Sequence, residues 1–281
     1  MKVGSKLIFL FKDPNGVGPA IFAALQPNTN NFQPKQTSTP FELSLDKYGI
    51  RDLRASGDLH FIDHQALIVG GNSGNLDGFP KTSVTVLLME NYEPPVVACA
   101  INQVLQSIIE ENSSSSMMPT LVLPFLVQAS TFHNWDKNDS AAVSLYATHI
   151  GTQTDLVLSM VAALKKPPPS LQIHYEPLAC LIHFARVLKF PTVFLIEPTH
   201  PPQRGDEYLE FISIAHNVAS GVLVRTSVPS NVSMSSDSQQ LHKIGDLLAR
   251  NVDLCFRMDK IARNPVKAVK SAQEPWRELY G

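Results

Sequence analysis

Charge is scarce in this sequence. Only 17% of its 281 residues are Asp, Glu, Lys or Arg, and 23 basic against 25 acidic side chains leave a formal net charge of −2. That balance gives no broad electrostatic case for nucleic acid or anionic lipid as a partner, since both require a basic footprint. Cysteine is scarcer: Cys99, Cys180 and Cys255 are odd in number and far apart. They exclude a disulfide framework and fit reduced thiols in a cytoplasmic compartment, with access to the nucleus left open. Long apolar runs are also missing. No stretch approaches the roughly 20 residues of a membrane helix, and LIFLF (Leu7 to Phe11) ends at Lys12-Asp13-Pro14, too short for a signal-peptide core. The sequons at Asn112, Asn138 and Asn231 are then chance matches.

Catalytic signatures are absent as well. The chain has no G-x-S-x-G elbow, H-E-x-x-H helix, paired CxxC or Walker lysine. In ALIVGGNSGNLDG a strand pattern feeds a glycine-rich loop that could cradle a phosphate with backbone amides. Its spacing fits neither dinucleotide nor P-loop fingerprints, and turn signals follow it. The plainer reading is a loop needing positive φ at Gly71, Gly74 or Gly78. Cys180 and His183 stand three apart on one expected helix, the geometry of a thiol nucleophile and its base, but also an ordinary half-buried pair. Asp63 with His64, and HNWDKND around His133, put acid–base side chains on expected loops. Neither has the convergent spacing of a metal site. No catalytic, metal or cofactor site is assigned.

What the sequence does have is apolar side chains, 44% of the total, enough for a sizeable core. Residues 1–40 hold DPNGVGP, QPNTNNFQP and KQTSTP around LIFLF, and read as a poorly ordered segment with one short apolar element. From Phe41 the texture changes. HQALIVGG and SVTVLLME read as strands buried on both faces. In PPVVACAINQVLQSIIEEN, Val97, Ile101, Val104, Leu105 and Ile108 recur at helical spacing. TLVLPFLV is a strand whose Pro124 points to an edge or a bulge. YEPLACLIHFARVLKF is a helix with Pro177 at its first turn and Leu178, Leu181, Ile182, Ala185 and Leu188 on one side. TVFLIEP and GVLVR are strands, GDEYLEFISIAHNVAS is an amphipathic helix, and SDSQQLHKIGDLLARN is a capped helix. Strands alternating with helices predict a largely parallel sheet covered on both faces over residues 41–258, then a tail over 259–281.

That tail ends EPWRELYG. Leu279, Tyr280 and Gly281 offer an apolar side chain, a phenol and a terminal carboxylate, a set that a basic socket on another protein can read as a chain end. The competing reading packs Leu279 and Tyr280 into the chain's own core.

PFELSLDKYGI, SVTVLLMENYEPPVVACAINQVLQSII and above all YEPLACLIHFARVLKFPTVFLIEP resemble the proteasome assembly chaperone 1 family. Its members pair with proteasome assembly chaperone 2 in a heterodimer that builds the 20S core particle. The likeness covers Phe41 to Val228 and the last three residues. It implies a three-layer α/β/α sandwich of phosphorylase/hydrolase-like type, with a mostly parallel or mixed sheet, used as a scaffold without catalysis or cofactor. It also implies that Leu279, Tyr280 and Gly281 match the family's hydrophobic-Tyr-any docking motif. The socket would lie between proteasome α-subunits, with a lysine meeting the Gly281 carboxylate, and the complex would guide α-ring assembly. The alternative from another class is a small-molecule hydrolase or phosphorylase using the loop near Gly71, with Asn72 and Ser73 beside it, because one fold hosts many chemistries.

Overall fold

The computed structural model describes residues 1–13, 16–28, 35–63, 83–112, 118–128, 132–133, 145–162, 164–167, 172–173, 175–199 and 236–261. Within them the strands are β1 (Lys6–Phe11), β2 (Leu25–Pro27), β3 (Lys35–Leu45), β4 (Ile50–Asp63), β5 (Ser83–Met89), β6 (Thr120–Gln128), β7 (Phe132–His133), β8 (Tyr146–Ile150), β9 (Gln172–Ile173), β10 (Thr192–Thr199) and β11 (Leu254–Phe256). The helices are α1 (Val17–Ala24), α2 (Val96–Asn112), α3 (Asp155–Ala162), α4 (Glu176–Val187) and α5 (Ser236–Asn251).

Seven strands form one sheet in the order β3-β4-β5-β1-β6-β10-β8. The four inner strands β5, β1, β6 and β10 run parallel, while β3, β4 and β8 are antiparallel to their neighbours. A parallel strand covered on both faces must be apolar at every position, and β1 is: Leu7, Ile8, Phe9, Leu10 and Phe11 are all buried. Leu7, Phe9 and Phe11 face the layer made by α2 and α4, whereas Ile8 and Leu10 face the layer of α1, α3 and α5. The molecule is therefore the expected three-layer α/β/α sandwich, with a mixed sheet.

Residues 1–40 differ from expectation. Far from being poorly ordered where it is described, this segment supplies the middle strand of the sheet, a helix and the start of the β3–β4 hairpin. A composition rich in turn residues over forty positions hid a six-residue strand that needs only one apolar run. Pro19 sits in the first turn of α1, where it removes no intrahelical bond.

Pro124 also departs from expectation, because β6 lies between β1 and β10 and is no edge strand. The reason is the register. Thr120 N–H donates to the Ser5 carbonyl and Leu121 N–H to the Pro191 carbonyl, so even-numbered residues turn toward β1. The β1–β6 ladder stops at Ile8↔Val122, and Pro124, next on that side, faces no ladder acceptor while Leu195 of β10 flanks it on the other.

The helix expectations hold on their buried stripes. Val97, Ile101, Val104, Leu105 and Ile108 of α2 are buried, as are Leu178, Leu181 and Ala185 of α4, while Ile182 and Leu188, the latter just past the end of α4, are half-buried against the same cluster. The strand expected at HQALIVGG, the helix at GDEYLEFISIAHNVAS and the strand at GVLVR lie outside the described residues.

Candidate functional site

In open α/β sheets, ligands gather at the carboxyl ends of the parallel strands. Here β1 delivers Lys12 and Asp13 to that edge, β5 delivers Glu90, and Asp58 reaches it from β4. Lys12 Nζ lies 3.2 Å from Asp58 Oδ2 and makes a short hydrogen bond to Glu90. The Glu90 contact raises the Lys12 pKa, burial opposes it, and Asp58 adds to the rise. The ammonium stays charged and is held by the fold's own carboxylates.

Asp13 is likewise engaged. Its Oδ1 accepts from Val17 N–H at 3.2 Å and its Oδ2 from Gly18 N–H at 2.7 Å, so the N-terminus of α1 is occupied by a side chain of this chain. A helix start used for phosphate would leave those amides to the ligand. Tyr175 precedes α4, with its ring edge-on to Phe125 at a centroid distance of 5.8 Å. Burial, with a smaller contribution from the Asp13 charge, pushes its hydroxyl up to about 12, so it keeps its proton.

Farther along the edge lies Glu197 of β10, with no solvent exposure. Neither of its carboxylate oxygens has a hydrogen-bond partner among the described residues. Burial pushes its carboxyl up to about 7, offset in part by Lys243. TVFLIEP carried the signal that could have found it, one acid inside an apolar strand; Lys12, Asp58, Glu90 and Tyr175 had no comparable mark.

The sequence candidates fare unevenly. Cys180 and His183 do share α4, but the thiol is half-buried and its pKa is raised by burial and then by Glu176, opposite to what a thiolate nucleophile needs. The His183 ring instead lies 5.4 Å from that of Phe184. Asp63 ends β4 and His133 lies in β7, while His64, Gly71, Asn72, Ser73, Gly74 and Gly78 lie outside the described residues. So do Leu279, Tyr280 and Gly281. Among the described residues no three His, Cys, Asp or Glu side chains come together in a way that could hold a metal, and no helix is long and apolar enough to cross a membrane.

One family model, described as "Domain of unknown function (DUF7894)", matches residues 1–220 and 207–281, which together span the chain. The chain belongs to the DUF7894 family. No curated protein matches this DUF7894 chain. Among solved structures it is similar to PbaB of Pyrococcus furiosus, an archaeal proteasome activator, at 9% identity and a TM-score of 0.46, over 99% of this chain and 94% of that one. It is similar to PbaA of the same organism, an archaeal homologue of a proteasome-assembly chaperone, at 13% identity and a TM-score of 0.37, over 94% and 97%. It is similar also to an MTA/SAH nucleosidase, at 10% identity and a TM-score of 0.40, over 95% and 100%. These are likenesses of outline. The layers and topology of the DUF7894 chain are read from its own residues.

Proposed function

We propose that this chain is a non-enzymatic chaperone of 20S proteasome assembly. In this reading residues 41–258, together with the β1 and α1 segment, form the scaffold, and residues 259–281 form a tail. The chain pairs with a proteasome assembly chaperone 2 partner in the cytoplasm, binds α-subunits, and promotes correct α-ring assembly. Leu279, Tyr280 and Gly281 dock into a pocket between α-subunits.

The observation that carries the reading is the block Glu176 to Pro198, the part of the sequence that most resembles the chaperone 1 family. It forms α4 and β10, a continuous packing unit whose Leu178, Leu181, Ala185, Phe190 and Phe194 are buried in one apolar layer. A second feature supports a scaffold role. The polar groups that β1 carries to the sheet's carboxyl edge are engaged in holding the fold, Lys12 by ion pairs and Asp13 by capping α1.

The energetics favour a composite interface. Burying a leucine and a tyrosine supplies a few kcal/mol each at about 25 cal/mol per Å², less the cost of ordering the tail. Firm binding then draws on the body's surface or on the partner's tail, through effective concentration.

Native mass spectrometry of the chain purified from its own cells tests this directly. A complex holding a second α/β protein and proteasome α-subunits is expected. A chain that emerges alone, or bound only to a small metabolite, contradicts the proposal.

A further inference from the structure

Along β10, Val193 and Leu195 point into the apolar layer that α1, α3 and α5 cover, and Glu197 continues that alternation. It is the one charged side chain that β10 places there, it has no solvent exposure, and both its oxygens lack a hydrogen-bond partner among the described residues.

The described elements around it offer little compensation. Its register partner on β6 is Leu126, and the β8 side presents Leu145 and Ala147. The helix α1, VGPAIFAA, has no charged residue. The one acid of α3, Asp155, follows Thr154, whose hydroxyl meets Thr120 at the amino end of β6, the opposite end of the sheet. On α5, Gln240 is buried and Lys243 is exposed but close enough to act on the carboxyl electrostatically. Elsewhere on α5, Asp246 pairs with Arg250 at 2.7 Å and His242 lies against Phe256, while Asp237 of the first turn is an acid and supplies no positive charge. An ionised Glu197 would therefore be a charge in hydrocarbon, with one cation at the rim.

We propose that Glu197 is a proton-operated latch between β10 and α5. Protonated, it is a neutral side chain and α5 lies seated on the sheet. When the proton leaves to water, the first two turns of α5 lift so that solvent and the Lys243 ammonium reach the carboxylate. Burial sets the switching range at about pH 7. The helix runs on into β11, which pairs with β2, and to the turn at Met258–Lys260, so the latch governs how firmly the approach to the chain's last residues is held. It does not rest on the chaperone reading.

Amide hydrogen exchange read by mass spectrometry on the full chain, corrected for the intrinsic pH dependence of exchange, tests the latch. Protection of the first two turns of α5 should fall about tenfold between pH 6 and pH 8 in the wild type. In Glu197→Gln, whose amide carries no titrating proton, it should stay flat. Wild-type protection that does not change across this range, or an equal fall in Glu197→Gln, overturns the proposal. Should Glu197→Gln fail to fold, Lys243→Met decides. Losing the cation must move the onset of the fall to higher pH, and an unmoved onset overturns the latch.

Discussion

Phe41 and Gly57 face each other across β3 and β4, and the aromatic ring occupies the space a side chain at Gly57 would need. A Cβ built there lies 2.9 Å from Phe41 Cε1 and 2.2 Å from the Leu88 carbonyl oxygen. The Leu88 backbone cannot yield without disturbing the β4–β5 ladder. Gly57→Ala should cost about 1–3 kcal/mol by overpacking, seen as a lower midpoint in urea with an unchanged slope. A substitution that leaves the midpoint in place contradicts this packing.

Gly245 of α5 presses on Phe256 of β11 in the same way, since an added Cβ would come within 2.2 Å of the ring. Gly245→Ala should destabilise the chain. Gly245→Ala combined with Phe256→Leu should recover part of the loss, because the smaller side chain vacates the clash. A double-mutant cycle in chemical denaturation gives the coupling, expected at about 1 kcal/mol or more. Additive losses would mean that the two residues do not meet.

Asp13 bonds two amides at the start of α1. Asp13→Ala should lose about 1 kcal/mol, and Asp13→Asn less, because an amide oxygen still accepts. Equal losses in the two variants would assign the effect to charge instead of capping.

Glu197 gives the fold a pH dependence of definite sign. Folding raises its pKa from 4.5 to about 7, so the folded state holds the proton more tightly than the unfolded chain. The advantage of the protonated fold is complete below pH 4.5 and is lost as pH rises through about 7. Glu197→Gln never pays the ionisation penalty. Its stability relative to wild type should grow by about 3 kcal/mol from acid to about pH 8. A stability difference constant with pH would contradict the burial of an unpartnered carboxyl.

Much of this architecture was legible in the residues, for stated reasons. Helices α2 and α4 declared themselves because each buries one stripe, and a stripe leaves a 3.6-residue period. Strands β5, β6 and β10 were visible as short apolar runs. The β3–β4 hairpin was missed, although Ala55, Gly57 and Leu59 alternate toward the core, because polar residues dominate the other face. β1 was missed because its neighbours are turn formers, and a short strand buried on both faces has no period to detect. At the edge of the sheet, Lys12, Asp58 and Glu90 come from three strands, and only the register brings them together. Sequence spacing is blind to such a cluster, whereas Glu197 violates its local pattern and can be suspected from the sequence.

The proposed chaperone role includes docking of Leu279, Tyr280 and Gly281 between α-subunits, and binding to assembled α-rings can be measured with purified components. Three versions of the chain should be compared at equal concentration by surface-immobilised binding: the wild type, Tyr280→Ala, and one with several residues appended after Gly281. Both altered chains should bind at least about tenfold more weakly than the wild type, because one lacks the phenol and the other turns the Gly281 carboxylate into a peptide carbonyl. Equal binding by all three would contradict the docking role.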